Sequence, residues 1–206
     1  MKTITRFLTS AAFLSCSSLA LADITANIGW ASDYFYRGTL QAPTSASAGV
    51  DFERNGFYIG TWAADVKDGL EVDGYFGYAT EIQDISYSVG FTGYYYTGDF
   101  DDTYQEINLG LGYGYVALDV AIGEYENFGG GTQDYTYYAL TVANKGFYGK
   151  FAGFSQDFEG EYLEFGYGTT VAELDIGISA IFANSDLVGD SDESLVFTIG
   201  KSFELK

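Results

Sequence analysis

Histidine is absent from this 206-residue sequence, and cysteine and proline each occur only once. Without histidine, neither a serine–histidine nor an aspartate–histidine catalytic pair can form, and zinc sites with histidine ligands are excluded. Paired carboxylates could still act as acid and base, but among 29 acidic residues close pairs arise by chance. The sequence therefore predicts no enzymatic activity, no cofactor and no metal centre.

Basic residues are scarce as well. Lys and Arg total 9 against 29 Asp and Glu, which gives a formal net charge of −20. This balance disfavours binding to nucleic acid and to anionic membrane surfaces. After residue 22 no apolar run approaches the ~18 residues that a transmembrane helix needs. A nucleic-acid-binding role and a helical membrane protein are therefore both disfavoured.

The first 22 residues, MKTITRFLTSAAFLSCSSLALA, have the organisation of a signal peptide. Lys2 and Arg6 form a positively charged start, a mostly apolar stretch follows, and Ala20-Leu21-Ala22 is an A-x-A processing pattern. We expect residues 1–22 to be cleaved and residues 23–206 to form one domain. Because Cys16 lies in the cleaved part, the mature chain is predicted to have neither a disulfide nor a free thiol.

Apolar residues alternate with small or polar residues through most of the remaining chain. In INLGLGY, for example, Ile107, Leu109 and Leu111 alternate with Asn108 and Gly110. A period of two indicates β-strands with one apolar face, as in a soluble β-sandwich or a membrane barrel. The second face is rich in Gly, Ser and Ala, which suits a barrel lumen where side chains converge.

These patterns divide the chain into about twelve strands, most of them near the ~9–11 residues that a tilted strand needs to cross a bilayer. The expected spans are 24–37, 45–54, 56–65, 70–80, 83–96, 103–115, 116–125, 135–143, 146–155, 161–170, 173–183 and 194–205. Short turns alternate with longer acidic loops between them. The predicted fold is all-β: an antiparallel up-and-down transmembrane β-barrel of about 12 strands, of the bacterial outer-membrane type, with both chain ends in the periplasm.

Charged residues on the small-residue face are candidates for the lining of a pore. They are Asp33, Arg37, Asp51, Glu53, Glu71, Asp73, Asp84, Glu106, Asp119, Lys150, Glu164 and Asp175. An acidic lining concentrates cations, so an open lumen should prefer them. Alternatively, these side chains pair with one another and fill the interior.

The segment WASDYFYRGTLQ places a scarce cation, Arg37, directly after three aromatic residues. Strict alternation along the first strand would turn Tyr34 and Tyr36 towards lipid and would turn Arg37 into the lumen. Asp33 is about 13 Å away along a strand, too far for a direct pair. We therefore expect Arg37 to pair across the seam between the first and last strands, with Asp192 or Glu193 as candidates, or with a carboxylate on a folded-in loop.

The last strand, LVFTIGKSFELK, resembles the C-terminal assembly signal of bacterial outer-membrane proteins. Thr198, Gly200, Phe203 and Leu205 occupy the positions of that signal: a polar residue, a glycine two residues later, and two hydrophobic residues. The resemblance implies recognition by the outer-membrane assembly machinery.

Two stretches, SDYFYRGTLQ and AGVDFERNGFYIGTWAADV, resemble the TorF family of porin-type proteins, with the match densest over residues 28–66. The residues that carry the resemblance are Ser32, Asp33, Tyr34, Phe35, Arg37, Gly38, Gln41, Gly49, Asp51, Gly56, Phe57, Tyr58, Gly60 and Trp62. The resemblance implies an outer-membrane barrel with a porin role and brings no catalytic residues.

Together these features predict a passive, cation-leaning channel for small solutes in the outer membrane of a Gram-negative cell. The expected partners are the lipid bilayer and its lipopolysaccharide, the assembly machinery, and small cations or solutes. A second hypothesis is a closed structural or surface-interaction barrel that uses its acidic loops and transports nothing. A barrel enzyme is the third and is disfavoured by the missing histidine.

Overall fold

A computed structural model describes residues 23–205, so the predicted signal peptide lies outside the described residues. Within this range the chain forms twelve strands and one short helix. In chain order they are β1 (Asp23–Tyr36), β2 (Thr39–Arg54), β3 (Phe57–Val66), β4 (Gly69–Ile82), β5 (Ile85–Tyr96), β6 (Tyr104–Tyr113), β7 (Val116–Tyr125), β8 (Gln133–Asn144), β9 (Phe147–Gln156), β10 (Glu161–Val171), β11 (Leu174–Ala183), α1 (Ser185–Val188) and β12 (Asp192–Leu205).

The strands form a closed barrel in which each strand pairs with its neighbours in sequence. Closure comes from an antiparallel ladder between β1 and β12, which runs from Ile24 opposite Leu205 to Ala31 opposite Thr198. Every strand therefore has two partners and no sheet edge is left unpaired. The predicted closed, antiparallel, twelve-stranded barrel is confirmed.

In a soluble protein the hydrophobic residues face inward, but in this barrel wall they face outward. On β6, Ile107 and Leu109 are 54% and 44% exposed on the outside, whereas Glu106 is only 2% exposed on the inside. Trp30 and Phe76 belong to the same exposed apolar outer surface. The polar and charged residues therefore converge on the lumen, and the hydrophobic residues cover the exterior.

The two ends of the barrel are built differently. At the end where β1 begins and β12 ends, all five connections are two-residue turns: Asn55-Gly56, Gln83-Asp84, Gly114-Tyr115, Lys145-Gly146 and Ala172-Glu173. Both residues have positive φ in four of them, as in the type I′ turns that suit twisted hairpins. We call this the turn end. The opposite, loop end carries the longer connections 97–103, 126–132, 157–160 and 184–191 together with two tight turns.

The structure corrects three local predictions. Residues 38–44 were expected to form a loop, but β2 already begins at Thr39. Gln83 and Asp84 were expected in a strand, but they form the turn between β4 and β5. The short helix α1 in the last loop was not predicted; Asn184 caps it by accepting a hydrogen bond from the Leu187 amide.

Lumen-facing glycines make room for aromatic rings that lie against the wall. A methyl group added at Gly60 would lie 2.6 Å from Cε2 of Tyr75, and one at Gly49 would lie 2.9 Å from Cδ1 of Trp62. Real carbon atoms do not approach so closely, so a larger residue at either position would displace the ring. The small-residue face that marks the lumen in the sequence therefore also holds its tyrosines in place.

Candidate functional site in the lumen

The hairpin that joins β1 and β2 folds into the barrel at the loop end. Two irregularities turn it inward: the β1–β2 register shifts between Tyr34 and Phe35, and Thr44 has a positive φ of 64°. As a result Ala42 is buried while Pro43 is exposed. We call residues 34–41 the plug.

Arg37, at the tip of the plug, reaches across the lumen to β6. Its two terminal nitrogens donate hydrogen bonds of 2.7 and 2.8 Å to the two carboxylate oxygens of Glu106. The guanidinium also lies 4.1 Å from the ring centroid of Tyr137 and 4.9 Å from that of Tyr36. Arg37 points into the lumen as expected, but the prediction that Asp192 or Glu193 would be its partner is wrong.

Glu106 is the anchor of the plug, and it makes four hydrogen bonds although it is almost fully buried. Besides the two bonds from Arg37, it accepts one of 2.7 Å from the Tyr94 hydroxyl and one of 2.8 Å from the Tyr135 hydroxyl. A buried carboxylate with a bidentate arginine and two phenol donors has its charge and lone pairs satisfied. This contact therefore holds the plug across the lumen.

The aromatic residues of the plug also face inward. Tyr34 donates a 2.6 Å hydrogen bond to Glu71 on β4 and packs edge-on against Trp62, with 5.7 Å between ring centroids. Tyr36 packs edge-on against Tyr94 at 5.3 Å. The prediction that Tyr34 and Tyr36 face lipid is therefore wrong, because the irregular hairpin breaks the strict alternation on which it relied.

Glycine at position 38 is required by the tight fit of the tip. Its φ is +85°, and an added methyl group would lie 2.7 Å from Tyr162 Cδ1 and 2.8 Å from Leu187 Cδ2. Only a residue without a side chain can adopt this backbone conformation and approach these two groups so closely.

Two further lumen acids on β4, Glu71 and Asp73, are buried with 0% and 8% exposure. Glu71 Oε1 accepts the hydrogen bond from Tyr34. Asp73 Oδ1 is buried and has no hydrogen-bond partner. Unsatisfied buried polar atoms are uncommon in native proteins, so this carboxylate stands out from the rest of the lumen.

Other predicted lining residues pair along the wall. Asp51 accepts hydrogen bonds from the Tyr75 hydroxyl at 2.5 Å and the Asn27 amide at 3.5 Å. Lys150 and Glu164 form a salt bridge at 3.0 Å. Of these contacts, the Lys150–Glu164 salt bridge neutralises charge, whereas Asp51 is held by neutral hydrogen-bond donors.

The remaining predicted lining residues make none of the contacts described above that hold the plug. Asp33, Glu53, Asp119 and Asp175 are half-buried in their strands. Asp175 accepts a 2.6 Å hydrogen bond from Thr170, and Asp33 accepts one of 3.2 Å from Ser32. Asp84 is exposed in the turn between β4 and β5, so its predicted place in the lumen is wrong.

A cavity of about 310 Å³ lies beside the plug and is bordered by loop-end residues. Its lining joins plug residues to an aromatic wall and three carboxylates: Tyr36, Arg37, Thr39, Gln41, Tyr96, Asp101, Tyr104, Tyr135, Phe154, Phe158, Glu159, Asp186 and Leu187. Sequence reasoning missed the tyrosines that hold the site, although Tyr135 and Tyr137 share the lumen parity of β8 with Ala139.

Residues 23–205 contain no group of three or more Asp, Glu, His or Cys side chains arranged to hold a metal ion. The same part of the chain has no helix with the length and hydrophobicity of a membrane span.

The first of the following solved structures shares the fold of this chain, and the other two superpose less closely. A chain from work on the in-meso crystallization of membrane proteins superposes with a TM-score of 0.58 at 9% identity, over 89% of this chain and 84% of that one. Pseudomonas aeruginosa OprD superposes with a TM-score of 0.44 at 12% identity, over 90% of this chain and 67% of that one. P. aeruginosa OccK2, solved in complex with glucuronate, superposes with a TM-score of 0.45 at 10% identity, over 89% of this chain and 61% of that one. At such identities the likeness concerns the fold alone.

Sequence comparison assigns a family. No curated protein matches the chain significantly. Residues 17–202 match the model of a family described as "Bacterial protein of unknown function (Gcw_chp)". The match covers nearly the whole sequence, and the chain therefore belongs to the Gcw_chp family.

Proposed function

We propose that the chain is a porin-type barrel of the Gram-negative outer membrane that lets small cations diffuse passively through its lumen. The observation that carries this proposal is a closed barrel with an apolar exterior and an acid-lined interior. In this proposal the signal peptide directs export, the turn end faces the periplasm and the acidic loop end faces outward, next to lipopolysaccharide. The TorF resemblance of residues 28–66 agrees with it.

The assembly machinery would read the last strand. Phe203 and Leu205 are 39% and 49% exposed on the outer face of β12, and this strand closes the barrel with β1. An apolar outer strand face at the seam is accessible to a protein that inserts the barrel into the membrane.

The lining favours cations because its charge is unbalanced. Nine of the predicted acidic lining residues lie on lumen-facing strand positions, and Arg37 and Lys150 are the predicted cations that accompany them. Both cations are already paired, with Glu106 and Glu164. The remaining acids give the lumen a negative potential that attracts cations and repels anions.

The plug lies across the lumen at the loop end, where Arg37 is bound to Glu106, and would restrict the proposed path there. We therefore expect purified protein in planar bilayers to give a small conductance whose reversal potential in a salt gradient shows cation preference. The double variant R37S/E106S should raise the conductance, because it removes the contact that holds the plug across the lumen.

Selectivity can be tested with two variants of equal charge change. Asp119→Asn, inside the barrel, should weaken the cation preference, whereas Asp84→Asn, exposed in a turn, should leave it unchanged. Clear anion preference would overturn the cation assignment.

The plug also favours the second candidate, a closed barrel that acts through its acidic loops. If the barrel is closed, neither the wild type nor R37S/E106S should conduct above the lipid background. That result would contradict the proposal that the protein is a channel.

A further inference from the structure

The carboxylate that anchors the plug is arranged by the barrel wall and not by the plug. Glu106 on β6 accepts hydrogen bonds from the hydroxyls of Tyr94 on β5 and Tyr135 on β8. Gly123 on β7 stands between Glu106 and Tyr135 in the ladders, and a methyl group added there would lie 2.7 Å from the Tyr135 hydroxyl oxygen. The glycine therefore leaves room for Tyr135 to reach Glu106, and the two phenols orient the carboxylate.

A guanidinium group already occupies this part of the wall. The two terminal nitrogens of Arg37 donate to the two oxygens of Glu106, and the guanidinium carbon lies 4.1 Å from the ring centroid of Tyr137 on β8. A planar fork of donors on a carboxylate, stacked on an aromatic ring, is a geometry that an ammonium cannot reproduce. We call four residues of the barrel wall the wall site: Tyr94, Glu106, Tyr135 and Tyr137. Its present occupant belongs to the same chain.

The cavity beside the plug extends from this occupant to the loop end. Its volume is about 310 Å³, and it is bordered by Arg37 and Tyr135 and also by the exposed acids Glu159 and Asp186. The rings of Tyr135 and Phe158, stacked with 5.1 Å between centroids, form an aromatic part of its lining. Carboxylates attract a cation and aromatic rings bind its charged face or its hydrocarbon part, so the cavity suits a small organic cation.

Arg37 has a second acid within range of its charge. Asp73 on β4 is within electrostatic range of Arg37, and its buried Oδ1 has no hydrogen-bond partner. A guanidinium that leaves Glu106 therefore keeps an opposite charge nearby, which lowers the cost of an exchange at Glu106.

We propose that the wall site binds organic solutes that carry a guanidinium group, and that Arg37 is an internal ligand which such a solute displaces. Displacement would release the tip of the plug from the far wall. The site goes beyond the proposed channel, because binding requires access from the loop end and not passage through the barrel.

The test empties the site and then refills it. The full mature barrel with Arg37→Ala is refolded in detergent, and N-ethylguanidinium chloride, which resembles the end of the missing side chain, is titrated at constant ionic strength. We expect saturable heat of binding and a rise in the midpoint of thermal unfolding towards the wild-type value. Ethylammonium chloride has the same charge without the fork, and it should bind on the order of tenfold more weakly because a charge-assisted hydrogen bond is lost.

Three variants assign the effect to the wall site. R37A/E106Q should fold, because both buried charges are removed, and should lose the response to N-ethylguanidinium. R37A/Y137L should bind several-fold more weakly, since the aromatic face is missing. R37A/E126Q has the same charge change as R37A/E106Q but in an exposed loop, and it should bind as R37A does.

The wild type tests the displacement. Because Arg37 is tethered, it competes at a high effective concentration, and the wild type should bind N-ethylguanidinium more weakly than R37A does. Equal affinities would place the compound elsewhere on the protein. No binding to the wild type at any soluble concentration would show that Arg37 is not displaced. Either result overturns the proposal.

If R37A refolds poorly, its folded yield on heat-modifiable gels becomes the readout, and N-ethylguanidinium should raise this yield more than ethylammonium does. The site is overturned if R37A does not respond, if ethylammonium is as effective, or if R37A/E106Q still responds. None of these readouts requires conduction. A barrel that conducts without this response refutes the site alone, and one that responds without conducting refutes the channel alone.

Discussion

At the scale of single residues, the contact between Arg37 and Glu106 matters most, because it joins the plug to the far wall of the barrel. Both side chains are largely buried, at 11% and 0% exposure. Burying such a pair gives little net stability compared with apolar side chains, but removing one partner leaves an unpaired charge. The pair therefore determines where the plug sits more than it determines how stable the barrel is.

We expect Arg37→Ala to lower the free energy of unfolding by about 3–5 kcal/mol, because Glu106 would stay buried and unpaired. Urea unfolding of the refolded barrel, followed by tryptophan fluorescence, measures the change. Arg37→Lys should recover only part of the loss, since an ammonium cannot replace the bidentate fork.

The salt bridge between Lys201 and Glu173 is the matched control. It is exposed, and the hydrogen bond from the Lys201 ammonium, together with its charge, lowers the pKa of Glu173. Lys201→Ala should change stability little, because water screens exposed pairs. Equal effects of Arg37→Ala and Lys201→Ala would contradict the role of Arg37 as the anchor of the plug.

At the scale of elements, the β1–β2 hairpin departs most from a regular barrel. Along β1, side chains alternate regularly between the two faces of the wall up to Ala31, where the β1–β2 register has not yet shifted. Beyond it, the register shift and the positive φ of Thr44 turn consecutive residues to the same side. A period-two pattern carries no sign of such a bulge, so the sequence could predict the strand but not the side chains that enter the lumen.

The fit between glycines and rings on the wall gives a second prediction. Gly60→Ala should lower the free energy of unfolding by about 1–3 kcal/mol, because the methyl group meets Tyr75 and Asp51 and must displace one of them. Gly74→Ala is the control: it is also a strand glycine, but nothing lies within 4 Å of the added methyl group. Similar losses for both variants would show that strand propensity, and not the ring, decides the cost.

At the scale of the whole molecule, the apolar exterior should control insertion into lipid. Leu109→Arg, at the middle of β6, should destabilise the barrel in lipid vesicles by about 2–4 kcal/mol, the cost of an arginine at the bilayer midplane. Asn108→Arg places the same side chain on the lumen face and should cost less. The folded fraction, measured by heat-modifiable migration on gels, compares them. Equal effects would argue against a membrane-facing exterior.

The barrel could be predicted from the sequence because its signals are local and repeated. Alternation and two-residue turns such as Asn55-Gly56 recur around the molecule, so one wrong boundary does not change the fold. The site depends on contacts over long sequence separations: Arg37 and Glu106 are 69 residues apart. Asp192 and Glu193 were expected from strand adjacency alone, and adjacency cannot show that a hairpin crosses the lumen.

The positions of the two tryptophans have a practical consequence. The sequence has only two: Trp30 lies on the exposed apolar surface, and Trp62 packs inside against Tyr34 of the plug. Lipids with brominated chains should quench the fluorescence of the first indole, whereas displacement of the hairpin should shift the emission of the second. Single-tryptophan variants would therefore follow membrane insertion and plug movement separately, without an added label.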